Sequence, residues 1–421
     1  MKKVYFLMLF AIGLAFMSCN EDDGSSSGED IEYIVATPLM MSQEDFRNSV
    51  TILPPQAIDE SGKIYAYKNY IFVNDKYQGV HVIDNSDPAA PKKITFIKIA
   101  GNVDISIKDD YLYADSIMDL IVLDISDINA ITEVKRLENV LQQYVAWPVE
   151  ADIFDWEGNA GANDVQIGWK TESVFMTEEE YADKYLYRGG DVLLETASTS
   201  DSGGDTGQGG SLARFKIVDD FLYAVDSHYI NIFEISDLEN PLDLEDVYAG
   251  FDIETIFHRD QNLFLGSMRG MYIYDISSPD KPVFVSEFEH GTACDPVVVD
   301  GDYAYVTLRG GNNCGATESG LFIIDISDIT NPQLKTSYAM DSPYGLGIKD
   351  EKLFVCDGES GLKVYDKTDV ENLVSLNHFT DINTFDVIPL DENLLMVGDQ
   401  VLYQYKYLDN NIELISTLDL K

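Results

Sequence analysis

The stretch Val297 to Leu308, VVVDGDYAYVTL, continued by Gly320 to Pro332, GLFIIDISDITNP, contains the plan of most of the chain. An apolar run meets a polar turn, and an aromatic-rich run follows. A glycine then opens an alternating segment that ends in Asp and a Ser/Asp/Pro turn. Side chains that alternate at period two read as strands, and Gly, Asp, Asn and Pro between them supply the turns.

Six further copies lie around it. They are IYAYKNYIFVN with GVHVIDNSDPAAP, ISIKDDYLYAD with DLIVLDISDINA, FKIVDDFLYAV with YINIFEISDLENP, IFHRDQNLFLG with GMYIYDISSPDKP, LGIKDEKLFVC with GLKVYDKTDVEN, and the most worn, VIPLDENLLMV with QVLYQYKYLDNN. Asp84, Asp124, Glu234, Asp275, Asp325 and Asp366 hold one place in their copies, mostly about forty residues apart. A fourth strand, such as KKITFIKI or KPVFVSEF, follows the turn. Four strands per unit at this period predict an all-β, seven-bladed β-propeller of four-stranded antiparallel blades, with eight blades the alternative count. The blades fall at about 62–101, 102–140, 212–250, 251–291, 292–341, 342–381 and 382–421, within one domain spanning 32–421.

The phrases GLFIIDISD, VVVDGDYAYV and DLIVLDISD resemble the LVIVD-repeat family of β-propellers, as do GKIYAYKNYIFVN, TACDPVVVDGDYAYVTLRGGNNC and SPYGLGI. The resemblance runs over most of the chain after about Gly62, and implies a bacterial surface or secreted propeller without assigned chemistry.

Composition agrees with strands: 25 Tyr and 20 Phe accompany abundant β-branched residues. A formal net charge of -46 sets the chain against phosphate backbones, so nucleic acid is not an expected partner. The N-terminus has Lys2 and Lys3, an apolar run from Val4 to Met17, then Ser18 and Cys19, the layout of an export signal over 1–18. Ser18 before Cys19 resembles the lipobox of bacterial lipoproteins, although Phe16 departs from its usual Leu, and it implies lipid on Cys19 and a membrane anchor. Residues 19–31 read as a flexible acidic tether. Its Glu21, Asp22 and Asp23 look like the signal that sends such lipoproteins to the outer face of the outer membrane.

Between Asp127 and Leu212 about seventy extra residues carry Trp147, Trp156 and Trp169, and no copy of the motif. The insertion, 141–211, reads as a loop excursion packed on one face, with a degenerate eighth blade as the alternative. Cys294 and Cys314 flank a long turn and suit a disulfide in an oxidising compartment. Cys356, in KLFVCD, reads as a buried small hydrophobe.

The repeated Asp with its following Ser and Asp lacks the oxygen set of a calcium loop and reads as turn chemistry. The five histidines have no metal-site spacing, and no nucleophile elbow or phosphate loop is present, so no metal or cofactor is expected. The starts of the innermost strands line the channel of a propeller. Lys63, Asp104, Arg214, Glu254, Asp295 and Asp386 fall near these starts, with Gly345 in the sixth copy. They form either a solvated rim or a ligand site in which Arg214 forks a carboxylate or sugar hydroxyls. Two functions compete. One is non-catalytic binding of a glycan, peptide or surface protein; the other is a carbohydrate-active hydrolase or lyase using carboxylates such as Glu254 and Asp295.

Overall fold

The computed structural model describes residues 30–143, 145, 148, 151–156, 161, 164–185, 207–289, 296–309 and 319–421. The signal, Cys19, Cys294, Asp295, Cys314 and Trp147 lie outside them. The seven copies form seven antiparallel sheets, each containing a meander of four consecutive strands except the third, whose outermost strand is split into Leu242–Asp243 and Val247–Tyr248. In the first sheet the strands Ser61–Tyr67, Tyr70–Asp75, Gly79–Asp84 and Lys92–Lys98 run inside to outside. Thr51–Leu53 adds an outer strand to it.

Alternation decides how the sheets meet. In the first sheet Phe72, Val80 and Val82 face the second, packing with Ile107, Leu112 and Ile121. Their neighbours Ile71, Val73 and Ile83 point the other way, onto Ile388, Leu395 and Leu402 of the seventh. The other five junctions, from second-with-third to sixth-with-seventh, each hold their own apolar cluster. The innermost strands follow the same cycle: Ser61–Tyr67 touches Ile105–Lys108, and contacts pass through Phe215–Val218, Ile253–Arg259, Val297–Asp300 and Leu346–Lys349 to Asp386–Pro389, which touches Ser61–Tyr67 again. Polar ties reinforce the junction of first and last sheets. Gln404 donates to Asn85 at 2.6 Å, and Ser416 to the Pro88 carbonyl at 2.6 Å.

The repeated acidic residues build turns. Asp84 and Asp325 each accept from the amide and hydroxyl of the Ser two residues on, at 2.6–3.0 Å. Asp124, Asp275 and Asp366 accept the equivalent amide. These bonds, the hydroxyl foremost, hold all five carboxyls below the usual Asp range. Cys356 is a free, fully buried thiol, and burial pushes its pKa far up.

The insertion departs from a loop excursion. Asp164–Met176 is a 13-residue strand that pairs antiparallel with Ile31–Ser42, which also pairs in parallel with Ile153–Phe154. The product is a three-stranded sheet, neither loop nor four-stranded blade. Local sequence did not show it because its two long strands are more than one hundred residues apart. A short helix, Gln43–Arg47, follows Ile31–Ser42, and the Ser42 hydroxyl caps it by accepting from the Asp45 amide at 3.1 Å. Sheet and helix form a cap over the first two sheets: Phe46, Val165, Met41 and Trp169 pack on Tyr77, Ala100, Ile117 and Met118.

Candidate functional site

Three of the residues expected at the channel meet. Lys63 lies 3.3 Å from Asp104, which is almost wholly buried. Arg214 joins through its backbone amide, which donates to the Asp104 carboxylate together with the Phe215 amide; its guanidinium turns to the Val225 carbonyl at 3.1 Å. Burial holds the Lys63 ammonium below its usual range, against the pull of Asp104. Beside them Asp115, absent from the expected set, accepts from Asn102 and from the amides of Val103 and Asp104 at 2.7–2.9 Å, while burial raises its pKa.

Asp386 stands at the start of the seventh inner strand and is fully buried. Its Oδ1 accepts from the Val387 amide at 2.9 Å and from Ser211 Oγ at 3.4 Å, and Oδ2 has no hydrogen-bond partner. Burial pushes its pKa up to about 8. Glu254 is buried near the start of the fourth inner strand, and Asp295 lies outside the described residues. Lys216, which local pattern did not single out, is buried on the third inner strand, and burial pulls its pKa far down.

The tail of the insertion explains this arrangement. The Gly207 amide donates to Ile107 of the second sheet at 3.1 Å, and Gln208–Gly209 pairs with Tyr65–Ala66 of the first. Gln208 reaches the Pro389 carbonyl of the seventh at 3.2 Å, and the Gly210 amide donates to Ile64 at 3.1 Å. Ser211 Oγ accepts from the Leu346 amide of the sixth. This strap lies along the inner strands of four sheets, and its Ser211 hydroxyl donates to Asp386 Oδ1. Its glycines are steric requirements: a Cβ on Gly207 would stand 2.1 Å from the Tyr65 ring, and one on Gly210 1.9 Å from Asp386 Oδ2. The run GQGGS was the only sequence signal, and it also suits a plain linker.

Elsewhere on the cap, Trp156 meets Trp169 edge-on at 5.1 Å, and half of its surface stays exposed. Among the described residues, no group of three or more His, Cys, Asp and Glu could hold a metal ion. No helix among them is long and apolar enough to cross a membrane.

The LVIVD repeat family model matches residues 60–95, 100–138 and 290–340. The chain carries LVIVD repeats. The matched LVIVD segments overlap the first, second and fifth sheets, so the family resemblance seen along most of the chain is matched at three places. LVIVD repeats are associated with β-propeller folds. No curated protein matches the chain. Among solved structures it is similar to the computationally designed protein Ika8, at 11% identity over 87% of this chain and 89% of that one, with a TM-score of 0.51. It is also similar to a Bacteroides fragilis protein assigned provisionally as a 6-phosphogluconolactonase, at 8% identity over 90% and 97% of the two chains, TM-score 0.51. BamB from Moraxella catarrhalis aligns at 10% identity over 89% and 99%, with a TM-score of 0.48. At such identities the likeness to Ika8 and to the Bacteroides fragilis protein is one of fold alone, and the fold here is all-β, built of four-stranded antiparallel sheets.

Proposed function

We propose that this chain is a non-catalytic binding module: a seven-bladed propeller, lipid-anchored at Cys19 and facing the cell exterior from the outer membrane, that holds a glycan, peptide or surface protein. The blade count rests on the cycle of inner-strand contacts and the seven inter-sheet clusters. The anchor and location rest on the lipobox-like Ser18–Cys19 and the acidic tether.

The observation that carries the binding reading is the strap. Acid–base cleavage of a glycoside needs two carboxyls about 5–9.5 Å apart on either side of a substrate. Asp104 and Asp115 are instead engaged by backbone amides, Lys63 and Asn102, and Asp386 through Oδ1 by the Val387 amide and Ser211. A face of seven blades then offers its rim for recognition, as rigid repeat frames do.

The test combines location with binding. Protease treatment of intact cells is expected to degrade the chain, and Cys19→Ala to release it from membranes. Glycan and peptide arrays probed with purified protein are expected to give saturable binding without product. Steady release of cleaved sugar, lost in Glu254→Gln, would sink the non-catalytic reading in favour of the hydrolase.

A further inference from the structure

The junction of the third and fourth sheets presents a group of side chains that the strap does not engage. Tyr229 and Tyr248 meet edge-on at 5.6 Å, Tyr248 and Phe251 at 6.0 Å, and His228 and Phe251 at 5.5 Å. Arg269 lies over the Phe251 ring at 5.2 Å and donates to Asp252 at 3.2 Å. Tyr248 and Phe251 are 50% and 49% exposed, high values for large rings held in a network.

Internal symmetry shows why the place is unusual. Ile105 pairs with Ala114 and Ile256 with Leu265, each pair two residues before the serine that ends its strand, Ser116 or Ser267. On this register Phe251 falls at the place of Ala100, and Met268 and Arg269 at those of Ile117 and Met118. Tyr77 and His228 correspond as well, each two residues beyond Asp75 and Asp226. Tyr77, Ala100, Ile117 and Met118 are the footprint on which the chain's own cap packs. At the same footprint two sheets farther round Met268 stays apolar and buried in the place of Ile117, while His228, Phe251 and Arg269 replace Tyr77, Ala100 and Met118, with Phe251 half exposed and Arg269 paired to the adjoining Asp252.

That exchange selects the kind of cover. A permanent protein lid is matched by the apolar footprint under the cap. Ring faces carry negative potential and attract the slightly positive C–H groups of a sugar ring, while a guanidinium paired with a carboxylate offers donors and acceptors without net charge. The chain's net charge of -46 disfavours an anionic sugar. We infer that this junction is a neutral-saccharide site, with Tyr248 and Phe251 as stacking rings and Arg269 with Asp252 as hydroxyl partners. The inference rests on the binding reading above and names its ligand class and place.

Affinity electrophoresis of the purified chain in native gels containing laminarin, mannan or xylan tests it. At least one of these neutral polysaccharides is expected to retard the chain. Tyr248→Ala and Phe251→Ala are each expected to weaken retention about tenfold, as loss of a central aromatic anchor does. Phe284→Ala, which removes an equally exposed ring on the outer strand of the fourth sheet, is expected to leave it unchanged. All three variants change exposed rings, and equal thermal midpoints check that they stay folded. Retention that survives in both ring variants overturns the site and leaves a binding function standing. Absence of retention by all three polysaccharides overturns the saccharide class, and array binding of a peptide that Phe251→Ala abolishes would reassign the site to peptides.

Discussion

Arg47 Nε donates to Asp119 Oδ2 at 3.2 Å, so a residue of the N-terminal helix is held by a carboxylate of the second sheet that is fully buried. Arg136 reaches the same Oδ2 at 3.2 Å, and the Asn139 amide donates to Oδ1 at 2.9 Å. With the apolar contacts of Phe46, this cluster fastens the cap over the first two sheets.

Asp119→Ala strips two guanidinium groups of a shared partner in a part-buried place. Arg47 keeps Glu138 and Arg136 keeps Glu133, so the cost is that of lost charged hydrogen bonds, about 1.5–3 kcal/mol, and it is expected to fall on the cap first. Hydrogen exchange should speed up across Ile31–Ser42 more than in Tyr303–Leu308. Equal acceleration in both strands would show that Asp119 supports the whole ring and not the cap alone.

Asp386 makes stability depend on pH in a direction unusual for a carboxylate. Its folded-state pKa, about 8, lies above the ordinary unfolded value. The folded state therefore binds the extra proton between the two values, and stability falls as pH rises through that window, levelling above about 8. Asp386→Asn keeps an acceptor for Ser211 and carries no charge. Urea unfolding at about pH 5 and about pH 8 should show a smaller decline in the variant than in the parent chain. An identical decline would place the titration elsewhere.

Gly210 faces Asp386 so closely that even a methyl group must displace one of them. Overpacking of this kind costs about 1–3 kcal/mol, and Gly210→Ala is expected to loosen the strap before it unfolds a sheet. Limited proteolysis should open a cleavage site within 207–213, while Gly301→Ala, at a turn where a Cβ meets nothing within 4 Å, should leave that segment protected. Gly301 has a positive φ of 57°, so some loss of global stability there is expected without strap release.

What the sequence by itself determined is local and repeated. GLFIIDISD contains its strand in its period-two alternation and its turn in Asp325 and Ser327, because those forces act between residues two apart. Seven such copies imply sheets that must cover one another on both faces, and the clusters joining Phe72 to Leu112 and Ile71 to Leu395 are the result. The charged residues near the inner-strand starts were also legible, since Lys63, Asp104 and Asp386 recur at fixed places in their copies. Only the tertiary structure decided what those charges meet. Ser211 reaches Asp386 across 175 positions and Arg47 reaches Asp119 across 72, and contacts over such separations leave no periodic trace. The same holds for the open footprint of His228, Phe251 and Arg269, which becomes visible only beside its covered counterpart at Tyr77, Ala100 and Met118.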